Sequence, residues 1–214
     1  MEWNDALGNG TMEALDEYFM ETSELSEEDK DKYTTWFDEL KIDFPSDHDL
    51  EINFRASFMG PNALALPNGM IVITDSLIEL MDDREEFEAV MVHEIAHVLE
   101  RHSLQMVLRD AGAFIFVSVV LGDASTVTTL SASIPYMLVE NGYSRKIESE
   151  ADLVSGQWLQ SKYGSTESLK SILTKLYESS EGAELPEMIS THPDLENRIM
   201  LLEETFSLPE DSEE

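Results

Sequence analysis

The residues of this chain best suited by type and spacing to do chemistry are His93-Glu94-Ile95-Ala96-His97. On a helix the i to i+4 step turns side chains through about 400°, so His93 and His97 share one face, one turn apart. Two imidazoles placed that way can grip one metal ion. Zinc accepts histidine nitrogen at about 2.0–2.1 Å, and a catalytic site keeps a position for water, whose pKa falls to about 7. Glu94, between the histidines, can take that water's proton as general base. The letters match H-E-x-x-H, the metalloprotease pattern, without substitution. A core helix that merely holds two histidines is the bland alternative, and an intervening carboxylate on an apolar helix argues against it.

Other elements must position this pair. Val90, Ile95, Val98 and Leu99 predict a buried helix, acid-rich at its start in Asp82, Asp83, Glu85 and Glu86 as the macrodipole favours, running from about Arg84 to Asp110. Before it, Leu50 to Phe58 alternates apolar and polar as a strand with one wet side. Two short apolar runs then flank Pro67-Asn68-Gly69 and read as a hairpin turned by Asn68-Gly69, after which Asp75 or Ser76 caps a short helix through Leu80. Residues 1–45 form an N-terminal segment read as helices, Met12 to Glu21 and a second one capped by Ser26, that serve packing or a partner. Beyond the His93 helix, 111–139 is apolar but interrupted by Pro135; it reads as a helical hairpin over the site, with lipid contact as the alternative. A helix from Tyr143 to the stop at Gly164, another over 165–177, and a last one opened by Pro193 complete the main domain, 46–208; 209–214 is an acidic tail.

Composition narrows the partners. With 13 basic against 45 acidic residues the net charge is −32, a surface that repels nucleic acid and anionic headgroups. The chain has no cysteine, which excludes disulfides and thiolate-bound zinc. Met1 to Asp5 is acidic and lacks the apolar core of a secretory signal.

Two histidines alone would hold zinc weakly, so a third protein ligand is expected. The metzincin position fails, because residue 103 is serine, and a glutamate about 20 residues past His97 is missing from the apolar run 111–121. Glu148 is the remaining good candidate. It shares a helix face with Asp152 at i+4, so one carboxylate can bind metal while the other accepts from a ligand histidine's second nitrogen. Glu150 lies about 200° round that helix and should face elsewhere.

Asn62-Ala63, His93-Glu94-Ile95-Ala96-His97, Tyr143-Ser144-Arg145 with Glu148 to Asp152, and Thr191-His192-Pro193 with Arg198 follow one another in an order that resembles the zinc metallopeptidase family of HtpX, the CAAX prenyl protease and BepA. The resemblance covers roughly 50–205 and implies a zincin-like α+β fold, mostly helical, with a small sheet beside the His93 helix. It implies one zinc ion on His93, His97 and Glu148, with Asp152 behind them. It makes His192 an oxyanion donor or, in BepA-like members, a group that blocks the metal; Arg198 an anchor for the local carboxylates; and Asn62 and Ala63 the edge against which an extended or unfolded polypeptide pairs. Asn68 departs from the family's frequent glycine, and the long transmembrane helices of some members are missing, which makes the soluble or singly anchored periplasmic branch the better analogue; the location that the resemblance implies is periplasmic or membrane-associated extracytoplasmic. The function expected is hydrolysis of peptide bonds by a Glu94-activated, zinc-bound water, in protein quality control. The alternatives are a self-blocked zinc-bearing binding module and a zinc hydrolase of a non-peptide amide.

Overall fold

The computed structural model describes residues 2–58, 60–106, 109, 134, 143–180, 192 and 194–206. Helix α1 (Glu2–Tyr18) leads into strand β1 (Met20–Thr22), then α2 (Glu27–Leu40), β2 (Glu51–Ser57), β3 (Ala63–Ala65), β4 (Met70–Thr74), α3 (Asp75–Leu80) and α4 (Arg84–Leu99). Helices α5 (Arg145–Tyr163), α6 (Glu167–Ser180) and α7 (Leu195–Phe206) follow. The four strands form one mixed sheet in the order β1-β2-β4-β3. Strands β2 and β4 run parallel, with Ile52 opposite Ile71, while β1 and β3 pair antiparallel at the two edges. Helical predominance with this small sheet bears out the α+β, zincin-like expectation.

Helix α4 is the axis of the molecule. Every residue from Glu86 to Val98 is buried, so the helix has no wet face and must be surrounded. It packs against β3, α2, α5 and α6. Its start is fixed by Asp83, whose carboxylate accepts from the Glu86 amide at 3.0 Å. Phe87, Met91 and Ile95 fill the core with Phe37, Leu159 and Leu173; burying each such side chain favours folding by about 1.5–3 kcal/mol. Two buried acids on α4 then hold its neighbours in register. Glu88 accepts from Lys162 at 3.1 Å and from the Tyr163 hydroxyl, both on α5, and Glu86 accepts from Lys175 and Ser171 on α6 at 2.7 Å. Those bonds fix where α5 carries Glu148 relative to the histidines.

Several boundaries differ from the sequence reading. The first helix stops at Tyr18, and Met20 to Thr22 is a strand, because the edge of β2 supplies pairing that three residues cannot announce by periodicity. In the β3–β4 hairpin the positive φ falls on Gly69 alone, at +98°, where a Cβ would lie 2.8 Å from the Asp49 carbonyl oxygen. Neither Asp75 nor Ser76 caps α3. Its N-cap position is Thr74, and Asp75 instead accepts from Ser23 Oγ at 2.7 Å and the Glu24 amide at 2.6 Å, tying the N-terminal region to the sheet. In β2 the wet side is only partly exposed at Asn53 and Arg55, since the strand lies inside the sheet. Helix α4 ends at Leu99, short of Asp110, where Arg101 adopts φ +56° and the chain re-enters a helix over 102–106. Gly164 stops α5 with φ +72°, as expected of a left-handed C-terminal cap. The readings of 111–139, of the turn at Pro193 and of the tail from 209 fall outside the described residues, Ile134 excepted. No helix among the described residues is long and apolar enough to cross a membrane.

Candidate metal centre

His93 and His97 project from α4 toward α5 and are 5% and 0% exposed. Their Nε2 atoms stand 3.0 Å apart. Glu148, fully buried on α5, reaches both: Oε2 lies 3.5 Å from His93 Nε2 and Oε1 lies 3.4 Å from His97 Nε2. Two donors held tetrahedrally at about 2.0–2.1 Å from one cation lie about 3.3 Å apart, and each of these separations is close to that value, with the two histidines facing different oxygens of Glu148. Glu94 and His192 crowd the same space; their nearest atoms, Oε1 and Nε2, are 3.6 Å apart, and one donor atom from each of His93, Glu94, His97 and His192 fits within 4.8 Å.

A layer of charge lies behind these donors. Asp152, one turn beyond Glu148, places Oδ1 3.0 Å from His93 Nδ1. Arg198, on α7 and also buried, binds both oxygens of Asp152 at 2.7 Å and reaches Glu148 Oε2 at 2.9 Å. His192 sets Nδ1 3.0 Å from Glu148 Oε2 and Nε2 3.2 Å from the carbonyl oxygen of Ala63. Ala63 lies on β3, at the free edge of the sheet. Asn62 beside it is buried and turned inward, its amide donating to Thr74 Oγ1 at 2.8 Å and its carbonyl accepting from the Thr74 amide at 2.9 Å.

The electrostatics suit a cation. Burial alone would raise the Glu148 carboxyl, yet the charges of His192 and Arg198 hold it well below the usual range, as an anion. Burial and the charge of His93 push His97 well down, leaving a neutral ring with a lone pair. At His93 burial works the other way from its hydrogen bonds to Asp152 and Glu148, which win and lift it to about 9. The neutral His97 lone pair and the Glu148 anion thus face one another. Glu94 is pushed up, first by burial, and its Oε2 is buried without a hydrogen-bond partner among the described residues. The donor set and this orphaned oxygen fit a zinc ion with a water beside it.

Residues 38–206 match peptidase family M48. The chain belongs to that family. M48 metallopeptidases use zinc, and the resemblance read from the motifs is borne out. The chain is 30% identical over 152 residues to the mitochondrial metalloendopeptidase OMA1 of Schizosaccharomyces pombe, covering 67% of this chain and 43% of that protein. It is 28% identical over 153 residues to the beta-barrel assembly-enhancing protease of Escherichia coli, covering 64% and 31%, and 30% identical over 136 residues to the metalloprotease YcaL of the same organism, covering 62% and 53%. The chain thus spans about a third to about half of the length of these M48 relatives.

The structure brings His93, Glu94, His97, Glu148, Asp152, His192 and Arg198 together, with Ala63 at the rim. Glu150 lies outside the group, half-exposed on Lys146 at 3.2 Å. Sequence reasoning missed three neighbours. Tyr143 stacks on His97 with ring centres 4.1 Å apart and 14° between planes; Ser103 donates to the Ala65 carbonyl at 2.6 Å and lies 2.8 Å from the Tyr143 hydroxyl; and His102 Nδ1 lies 2.9 Å from His97 Nδ1. The only available signal was position: Tyr143 opens one motif block, and His102 and Ser103 lie a few residues past the other.

Proposed function

We propose that this chain is a zinc-dependent metalloendopeptidase whose metal is held by His93, His97 and Glu148. The observation that carries the reading is the convergence of those three side chains at separations close to those of zinc ligands, beside a Glu94 oxygen with no hydrogen-bond partner among the described residues. Zinc, when bound, supplies a Lewis acid that makes a coordinated water acidic and polarises a carbonyl. Glu94 Oε2 takes a proton from the water that attacks the scissile carbonyl and hands it to the departing amine; its raised pKa suits both steps. Asp152 fixes the His93 ring through Nδ1, and Arg198 holds Asp152 and Glu148 in place. His192 donates to the developing oxyanion.

An extended substrate adds a strand at β3. Ala63 and Ala65 present their carbonyls to the free edge, where they now meet His192 and Ser103, while Asn62 holds the strand to β4. Backbone pairing reads few side chains, so the substrate class is extended or unfolded polypeptide. The named relatives, a mitochondrial metalloendopeptidase and a protease that enhances β-barrel assembly, favour protein quality control in an extracytoplasmic or membrane-associated setting for this chain too. Removing the metal with a chelator should abolish cleavage of unfolded casein, and zinc alone should restore it. Cleavage that survives full metal removal contradicts the proposal.

A second reading has its own observation. His192 lies on both Glu148 and the Ala63 carbonyl, so it covers the metal-facing carboxylate and the substrate edge at once. In that reading the chain is a self-blocked zinc-bearing module with little turnover. His192→Ala separates the two. An oxyanion donor lost should lower kcat by about 10²–10³-fold, which is the outcome expected here; a rise in casein cleavage would establish the plug instead.

A further inference from the structure

We infer that His102 is a positioning residue for the metal centre: it accepts the Nδ1 proton of His97 and so fixes the tautomer and ring orientation that turn His97 Nε2 toward the cation. The inference rests on the proposed zinc site, in which His97 binds through Nε2. A histidine that ligates through one ring nitrogen carries its proton on the other, and that N–H is nearly always hydrogen-bonded. For His93 the partner is Asp152. For His97, whose ring is fully buried, it is His102 Nδ1 at 2.9 Å. With His97 donating, His102 Nδ1 is the lone-pair atom and the His102 proton sits on Nε2, 3.8 Å from Glu150 Oε2. His102 thus stands behind His97 as Asp152 stands behind His93, with Glu150 on its outer side beyond hydrogen-bonding distance.

The backbone is bent to make this contact. On an unbroken helix residue 102 would stand about 140° round from His97 and could not meet it. Instead α4 stops at Leu99, and Arg101 adopts φ +56°, a region unfavourable for any side chain with a Cβ. The next turn is pinned by Ser103, which binds the Ala65 carbonyl and the Tyr143 hydroxyl, and Tyr143 in turn packs flat on His97. The left-handed arginine and the anchors on Ser103 share one result, a 1% exposed His102 set against His97 Nδ1.

The test compares two substitutions in the full chain. His102→Leu keeps the volume without a lone pair, whereas His102→Asn returns an acceptor oxygen to the place of Nδ1. Zinc dissociation constants are measured by competition with a chromophoric chelator, with circular dichroism on the same samples. His102→Leu should bind zinc about 10–100-fold more weakly, and His102→Asn should recover most of that loss. Wild-type zinc affinity in a folded His102→Leu overturns the inference and leaves the zinc site standing; a wild type that binds no zinc overturns both. Should His102→Leu fail to fold, histidine nitrogen spectra of the zinc-loaded wild type decide. A scalar coupling between the two Nδ1 atoms, with the His102 proton on Nε2, supports the inference, and a proton on His102 Nδ1 overturns it.

Discussion

Glu94→Gln should lower cleavage of unfolded casein by at least about 10²–10⁴-fold, the usual contribution of a positioned acid–base group, while zinc content stays at the wild-type level. The substitution keeps the shape of the side chain and removes its ability to hold a proton between water and the leaving amine. Glu94 is buried, and its Oε2 has no hydrogen-bond partner among the described residues, so the amide nitrogen of glutamine enters a place already lacking a structural partner. Folding should therefore survive. Metal retention should survive too, because the proposed ligands are His93, His97 and Glu148. Activity near wild type would remove Glu94 from the proton path. Loss of zinc along with activity would move it into the ligand set with His192, the other grouping that the donor distances allow.

Arg198→Met should destabilise the metal-free chain by about 3–5 kcal/mol, the cost of leaving buried charge without its partner. Arg198 is 5% exposed and pairs with both oxygens of Asp152 and with Glu148, two carboxylates that are themselves fully buried. Methionine fills the volume and neutralises neither acid. Zinc should recover part of the loss, since a divalent ion beside Glu148 replaces some of the missing charge. Urea unfolding with and without chelator measures both quantities, and a metal-free loss below about 1 kcal/mol contradicts the account. The sign of the acid dependence follows. Burial would raise the Asp152 carboxyl, but the charge and paired bonds of Arg198 hold it below its ordinary value. Such a group adds stability above its unfolded pKa of about 3.9 and loses it as pH falls through the folded value. Without Arg198 that contribution is gone, so below about pH 4 the variant should lose stability less steeply than the wild type.

How far the sequence revealed this centre depended on whether a residue's partner lay within one regular element. His93 and His97 were legible because a helix puts i and i+4 on one face whatever surrounds it. Asp152 could be paired with Glu148 for the same reason, and Gly164 marked a helix end by its own backbone freedom. Glu148 stands 51 positions beyond His97, so spacing on one helix could not find it; elimination of other ligands and the family resemblance did. His102 is the opposite case. It sits five residues from His97, yet its contact exists only because Arg101 turns the chain; helix periodicity would place it about 140° away. Strand β1 was illegible because its reason for being extended is the edge of β2 at 55–57, far along the chain. Asp75 was misread as a cap because its partners, Ser23 and Glu24, come from that same distant N-terminal region.

Anomalous diffraction at the zinc edge from crystals of the zinc-loaded chain tests the central claim most directly. One peak should lie about 2.0–2.2 Å from His93 Nε2, His97 Nε2 and a carboxylate oxygen of Glu148, with Glu94 outside the coordination sphere. A peak coordinated by Glu94 or His192 in place of Glu148, or no peak between the two histidines, would contradict it.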